Sequence, residues 1–267
     1  MKRLRIATLV VLILSLALLF AAVWLDRRAE DATLPAIQCD TNELRLSAAD
    51  PEEALLEGVT AWDGKDGDLT SSIVVERVSG TGTPGTATVT YAVADSDHHV
   101  ASCSRTVVYT DYVSPRFSLT KPLSYTVGES ILVRNRLQAF DVLDGSLTDR
   151  IKINAGSLNS YYEGSYPITV EVSNSLGDTA QLTLNIEIRR AAANTPVIEL
   201  KEYLIYLDSA AQFDPSAYLS RVTGGELSAV TASPEAAALQ PGVNQVVYSC
   251  TGSGGAVGTA TLYVIVG

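Results

Sequence analysis

Residues 58–110 read GVTAWDGKDGDLTSSIVVERVSGTGTPGTATVTYAVADSDHHVASCSRTVVYT, and this stretch decides the fold. Its second half alternates apolar and polar residues: Val89, Tyr91 and Val93 fall on one face of a strand. A short polar turn follows at 95–99 (DSDHH), then a second alternating run at 105–109 (RTVVY). Two alternating runs around a tight polar turn predict a β-hairpin.

The same pattern recurs without gaps. Residues 85–93 (GTATVTYAV) match 164–172 (GSYPITVEV) and 242–250 (GVNQVVYSC). The turns at 174–178 (NSLGD) and 252–256 (GSGGA) precede closing runs at 182–188 and 262–266. Upstream, 66–73 (DGDLTSSI) matches 144–151 (DGSLTDRI), with a worn copy at 224–230 (GGELSAV). The period is about 78 residues, room for a small seven-strand sandwich.

The chain therefore reads as all-β: three tandem sandwiches at 34–111, 112–188 and 196–267, with 189–195 a linker that can act as a hinge. Scarce Phe (4) beside common Tyr (12) suits short strands with half-exposed faces.

The N-terminus differs. Residues 6–25 (IATLVVLILSLALLFAAVWL) carry no charge and predict a transmembrane signal-anchor helix, with the lipid bilayer as its partner. A cleaved signal peptide is the alternative. Lys2, Arg3 and Arg5 before it suggest a cytoplasmic tip at 1–5. Residues 26–33 read as a polar stalk, and the rest as extracellular at the cell membrane. Residues 1–28 hold five basic residues and one acidic residue. Removing those six from the chain's 19 basic and 30 acidic residues leaves 14 against 29, a balance of −15. Such a body repels nucleic acid, and no basic cluster interleaved with aromatics offsets that.

At 58–73 with 85–96 and 104–109, the chain resembles the Ig-like repeat of bacterial surface proteins, also found in pesticidal crystal proteins. That family shows G-V-x-A-x-D-x-x-D-G-D-L-T, then G-x-Y-x-V-x-Y-x-V-x-D, then R-T-V-x-V. The first copy keeps nearly all of it, with Ala87 in place of the tyrosine. The second keeps Asp141, Asp144, Gly145, Leu147, Thr148 and residues 164–166; the third keeps only the hairpin and a faint Gly-Glu-Leu-Ser. The resemblance implies an Ig-like β-sandwich and no particular ligand.

The Asp-rich turn admits two readings. Asp63, Asp66 and Asp68, with Asp141 and Asp144, offer oxygens to Ca²⁺. The spacing does not fit an EF-hand, and the preferred reading is a structural turn: Asp66–Gly67 and Asp144–Gly145 make the bend, while Leu69, Ile73 and Leu147 plug the core. Cys39 and Cys103 fall on the first and last strands of the first copy and are a disulfide candidate; the alternative is two small buried thiols. Cys250 takes an inward position, matching Val93 and Val172.

His98 and His99 share one turn and read as solvated residues. Tyr161 with Tyr162, and Tyr203 with Tyr206, are candidate sugar-stacking pairs or ordinary strand packing. Gly80–Gly85 fits a phosphate-loop spacing but precedes a strand and contains Pro84. No catalytic set, cofactor or metal follows from these residues. The expected function is a surface stalk or adhesion module, not an enzyme, with surface proteins or glycans as partners. A carbohydrate- or ligand-binding protein of the envelope, using the second or third copy, is the alternative.

Overall fold

The structure is a computed structural model. It describes residues 2–29, 33–190 and 192–267, with the side chains of the N-terminal helix given over 10–24. The chain divides into two compact units. The first comprises Met1–Leu46, Asp50–Ser79 and Thr86–Val108; the second comprises Ser47–Ala49, Gly80–Gly85 and Tyr109–Gly267.

Helix α1 runs Lys2–Ala29. Among the described residues, no helix is long and apolar enough to cross a membrane. The transmembrane anchor, its bilayer partner and the single-pass, extracellular localisation are corrected accordingly. The tip at 1–5 lies outside the described side chains, as does most of the stalk at 26–33.

The first sandwich is built from β1 (Ala36–Cys39), β2 (Glu43–Leu46), β3 (Val59–Asp63), β4 (Gly67–Asp68), β5 (Val74–Gly80), β6 (Thr86–Ala94) and β7 (Val100–Tyr109). One sheet has the order β1-β3-β4 and the other β2-β7-β6-β5. The second sandwich repeats this plan. Its strands are β8 (Arg116–Leu119), β9 (Ser124–Thr126), β10 (Leu137–Asp141), β11 (Gly145–Ser146), β12 (Lys152–Asn154), β13 (Gly164–Ser173) and β14 (Thr179–Arg189), ordered β8-β10-β11 and β9-β14-β13-β12.

The third sandwich has six strands: β15 (Val197–Leu200), β16 (Leu204–Leu207), β17 (Leu219–Thr223), β18 (Thr231–Ser233), β19 (Gly242–Thr251) and β20 (Val257–Val266). Its sheets are β15-β17 and β16-β20-β19-β18. The short strand after the corner has no counterpart here, where the Asp-Gly-x-Leu-Thr motif has worn to 224–230.

In each sandwich the entering strand is divided between the two sheets. Its second half lies beside the last strand, β2 beside β7 in the first sandwich, and pairs parallel with it in the other two, β9 with β14 and β16 with β20. Alternation then fills each core from both sheets: Val89, Tyr91 and Val93 of β6 face Val59 and Ala61 of β3 in the first sandwich, and Ile168, Val170 and Val172 of β13 face Leu137 and Ala139 of β10 in the second.

The second and third sandwiches share one apolar core cluster. Tyr263 of β20 accepts the Asn185 N–H at 2.8 Å and donates to the Asn185 carbonyl at 2.9 Å. Tyr206 of β16 accepts the Phe117 N–H at 2.9 Å, and the Arg116 guanidinium lies 4.9 Å from its ring centre. Burial pushes the Tyr263 hydroxyl up to about 12, which keeps it a neutral donor. Beside this contact, a crevice lined by Ser124, Asn185, Glu187, Arg189, Thr259 and Tyr263 leaves about 10 Å³, room for roughly one water.

Candidate recognition surface

The acidic turns come first, because the sequence singles them out. Asp141 is 1% exposed, and its Oδ1 accepts the N–H groups of Leu143 (2.9 Å) and Asp144 (3.0 Å). Asp63, 2% exposed, accepts those of Lys65 (2.8 Å) and Asp66 (3.0 Å) in the same way. These are Asx turns with a buried cap. Gly67 (φ 77°) and Gly145 (φ 70°) supply the left-handed bend.

Asp66 and Asp144 reach the neighbouring hairpin turn, accepting the N–H of Ser96 and of Ser175, each at 2.8 Å. Asp68 accepts the Thr70 N–H at 2.9 Å, and the Thr70 hydrogen bonds hold its pKa below the usual value. Leu147 is fully buried and Leu69 half-buried. The turn carboxylates are thus committed largely to backbone donors. Among the described residues, no group of three or more His, Cys, Asp or Glu side chains is placed to hold a metal ion.

The cysteines meet where the entering strand changes sheets. Cys39 ends β1, Cys103 lies in the facing sheet, and their Sγ atoms stand 2.8 Å apart. Burial first, then the neighbouring Cys39, pushes the Cys103 thiol up to about 12, so it is protonated at neutral pH. Cys250 is buried in the third core. His99 Nδ1 sits 2.8 Å from Asp95 Oδ2, so this histidine is not merely solvated. His98 is exposed.

Of the tyrosine candidates, Tyr161 and Tyr162 are exposed. Tyr203 is buried, with its hydroxyl on the Leu200 N–H, and Tyr206 is spent on the junction. These two take the strand-packing reading: Tyr203 is buried, and half-buried Tyr206 has its ring against the Arg116 guanidinium.

Two features escaped the sequence reading. Arg105 has no exposed side-chain surface. It donates to Tyr91 Oη (3.0 Å), to the Leu55 carbonyl (3.0 Å) and to the Glu57 carbonyl, and lies 3.4 Å from Asp40. Hydrogen bonding on all sides makes a buried guanidinium tolerable.

The other feature is a pair of exposed aromatic rings. Val59, Ala61 and Asp63 point inward along β3, so Trp62 points outward and is 62% exposed. Leu137, Ala139 and Asp141 point inward along β10, and Phe140 is likewise 62% exposed. The usable signal was the Asp: once it is read as a buried cap, strand parity turns the preceding aromatic out.

No family model matches the chain. It is 26% identical over 184 residues to the pesticidal crystal protein Cry22Aa of Bacillus thuringiensis, covering 67% of this chain and 24% of that protein. It is 28% identical over 144 residues to an uncharacterized 81.3 kDa protein of Acholeplasma phage L2, covering 52% and 20%. The chain spans about a quarter or less of the length of these curated relatives.

Among solved structures, it is similar to the CBM51-2 and INT domains of Clostridium perfringens ZmpB, determined in complex with GlcNAc. The identity is 21% and the TM-score 0.25, covering 52% of this chain and 28% of that one. It is also similar to the protocadherin GammaB4 extracellular domain, with 14% identity and a TM-score of 0.23, covering 87% and 49%.

Proposed function

We propose that the chain is a non-catalytic Ig-like binding or adhesion module that presents recognition surfaces on a stiff β-sandwich scaffold. The observation that carries this reading is the pair of aromatic rings held out at one register position, Trp62 in the first sandwich and Phe140 in the second. Neither ring is needed to fill a core, and exposed aromatics set on rigid strands are what binding surfaces use as anchors. The Tyr206 and Tyr263 bonds, which hold the second and third sandwiches together, favour a presenting role over a flexible tether.

The test is a binding screen of the full chain against arrays of glycans and surface proteins. Saturable binding to at least one class is expected. A chain inert on both arrays contradicts the reading.

A further inference from the structure

We propose that the outer faces around Trp62 and Phe140 bind neutral oligosaccharides, one pyranose ring stacking on each aromatic. This rests on the binding-module reading and names its ligand class. Across the first sheet, Trp62 stands opposite Ala36 on one side and Asp68 on the other, with Thr60 opposite Gln38 in the next outward row. A shallow hollow of about 400 Å³ opens there, within the range of small-ligand clefts, roughly 300–1,000 Å³. Ala36 is too small to cover the indole. A Cβ at Gly67 would stand 3.9 Å from the ring's Cη2, so this glycine also leaves the ring edge clear.

The second sandwich rebuilds the arrangement from different residues. Phe140 stands opposite Arg116 and Ser146, and Gln138 opposite Ser118. Both faces therefore offer one exposed ring beside an amide and a hydroxyl. Gln38 and Thr60 have exchanged strands to become Ser118 and Gln138, and the chemistry is retained.

A pyranose presents an apolar C–H face and a rim of hydroxyls. The ring takes the first, and neutral amide and hydroxyl groups take the second. Charge selects among sugars. Among the described residues no basic side chain lines the Trp62 hollow, Asp68 does, and the chain carries −11 overall, so uronates and phosphorylated glycans are disfavoured there. At the second face Arg116 stands opposite Phe140 and keeps its charge while lying over the Tyr206 ring, so selection against anionic sugars is carried by the Trp62 face. A protein partner would meet a single ring with Ala, Gln, Thr and Asp directly beside it, whereas the core of a protein interface is a wider apolar patch depleted of charge inside its polar rim.

The experiment is affinity electrophoresis of the full chain through gels containing hydroxyethyl cellulose, glycol chitin or galactomannan. It is followed by titration calorimetry with the matching hexasaccharide, which reads every variant alike, and Trp62 emission in a Trp24→Phe background reports the first face separately. Retardation in at least one gel is expected. Trp62→Ala should weaken binding about tenfold, and Phe140→Ala by a smaller factor, with unchanged melting temperatures. Migration unaffected by all three polysaccharides overturns the inference, as does retardation that survives the double substitution. If the array screen returns a protein ligand and no saccharide, this inference fails while the binding-module reading stands; if it returns nothing, both fail.

Discussion

In the second sandwich, Asn174 donates its amide to Asp141 Oδ2 at 3.2 Å and to Tyr112 Oη at 2.9 Å, while its oxygen accepts the N–H groups of Leu176 and Asp178. In the first, the matching position is Asp95, whose carboxylate takes the His99 N–H and faces the His99 ring. No amide is there for Asp63, and its Oδ2 is buried without a hydrogen-bond partner. Three residues on, Gly177 adopts φ 87° where His98 is held at φ 70°. The first sandwich instead has fasteners of its own. Arg105 ties β7 to the 3₁₀ turn at Glu52–Leu56, where the second and third sandwiches have Leu184 and Leu262. Cys39 and Cys103 face each other between its sheets. One strand plan thus tolerates two ways of holding a corner, provided the inward Asp keeps its two backbone donors.

That comparison can be broken or sharpened by substitution. The largest effect is expected from the cysteines. Under oxidised glutathione, Cys39 and Cys103 should close into a disulfide, with the intact mass falling by two hydrogens. Chemical denaturation should then show the first sandwich about 2–4 kcal/mol more stable than in Cys39→Ser/Cys103→Ser. Two free thiols after oxidation would remove this fastener from the account.

Next, Asn174→Asp copies the first corner into the second. It sets a carboxylate against Asp141 and takes away a buried donor, at a cost of about 2–3 kcal/mol in urea unfolding, less at pH 4 than at pH 7. A neutral result would mean that the Asn174 amide is incidental. Conversely, His98→Gly should relieve left-handed strain and stabilise the first sandwich by about 1 kcal/mol.

The smallest effect concerns acid. Burial raises the Asp95 pKa, but the His99 hydrogen bonds and charge outweigh it, so the folded value lies below the ordinary one. A depressed carboxylate adds stability above its unfolded pKa and loses it as pH falls through the folded one. Melting curves of Asp95→Asn should therefore fall less steeply than wild type below about pH 4. Parallel curves would show that Asp95 contributes nothing through its charge.

The hairpins were legible because every second residue of β6, β13 and β19 meets a core, and buried alternation leaves a period-two trace. Gly67 and Gly145 were legible as well, since a left-handed bend nearly demands glycine. Hydropathy alone is a poor guide at β3 and β10. It sends Trp62 and Phe140 inside and Asp63 and Asp141 outside, whereas two backbone N–H bonds make each Asp the residue to bury. The division of the entering strand between sheets leaves no periodic trace, because β1 and β2 have only four residues each. Tyr206 and Tyr263 look like any half-buried strand residue until the neighbouring sandwich supplies their partners. The apolar run at 6–25 suggested a membrane span that the described helix does not provide.

On this account the aromatic faces recognise and the acidic corners only hold shape. The direct measurement is the affinity of the full chain for the ligand returned by the screen, taken with and without EDTA and again for Trp62→Ala/Phe140→Ala. The account predicts no response to EDTA and at least about a tenfold loss in the double variant at unchanged melting temperature. Affinity that survives the double substitution, or disappears with EDTA, contradicts it.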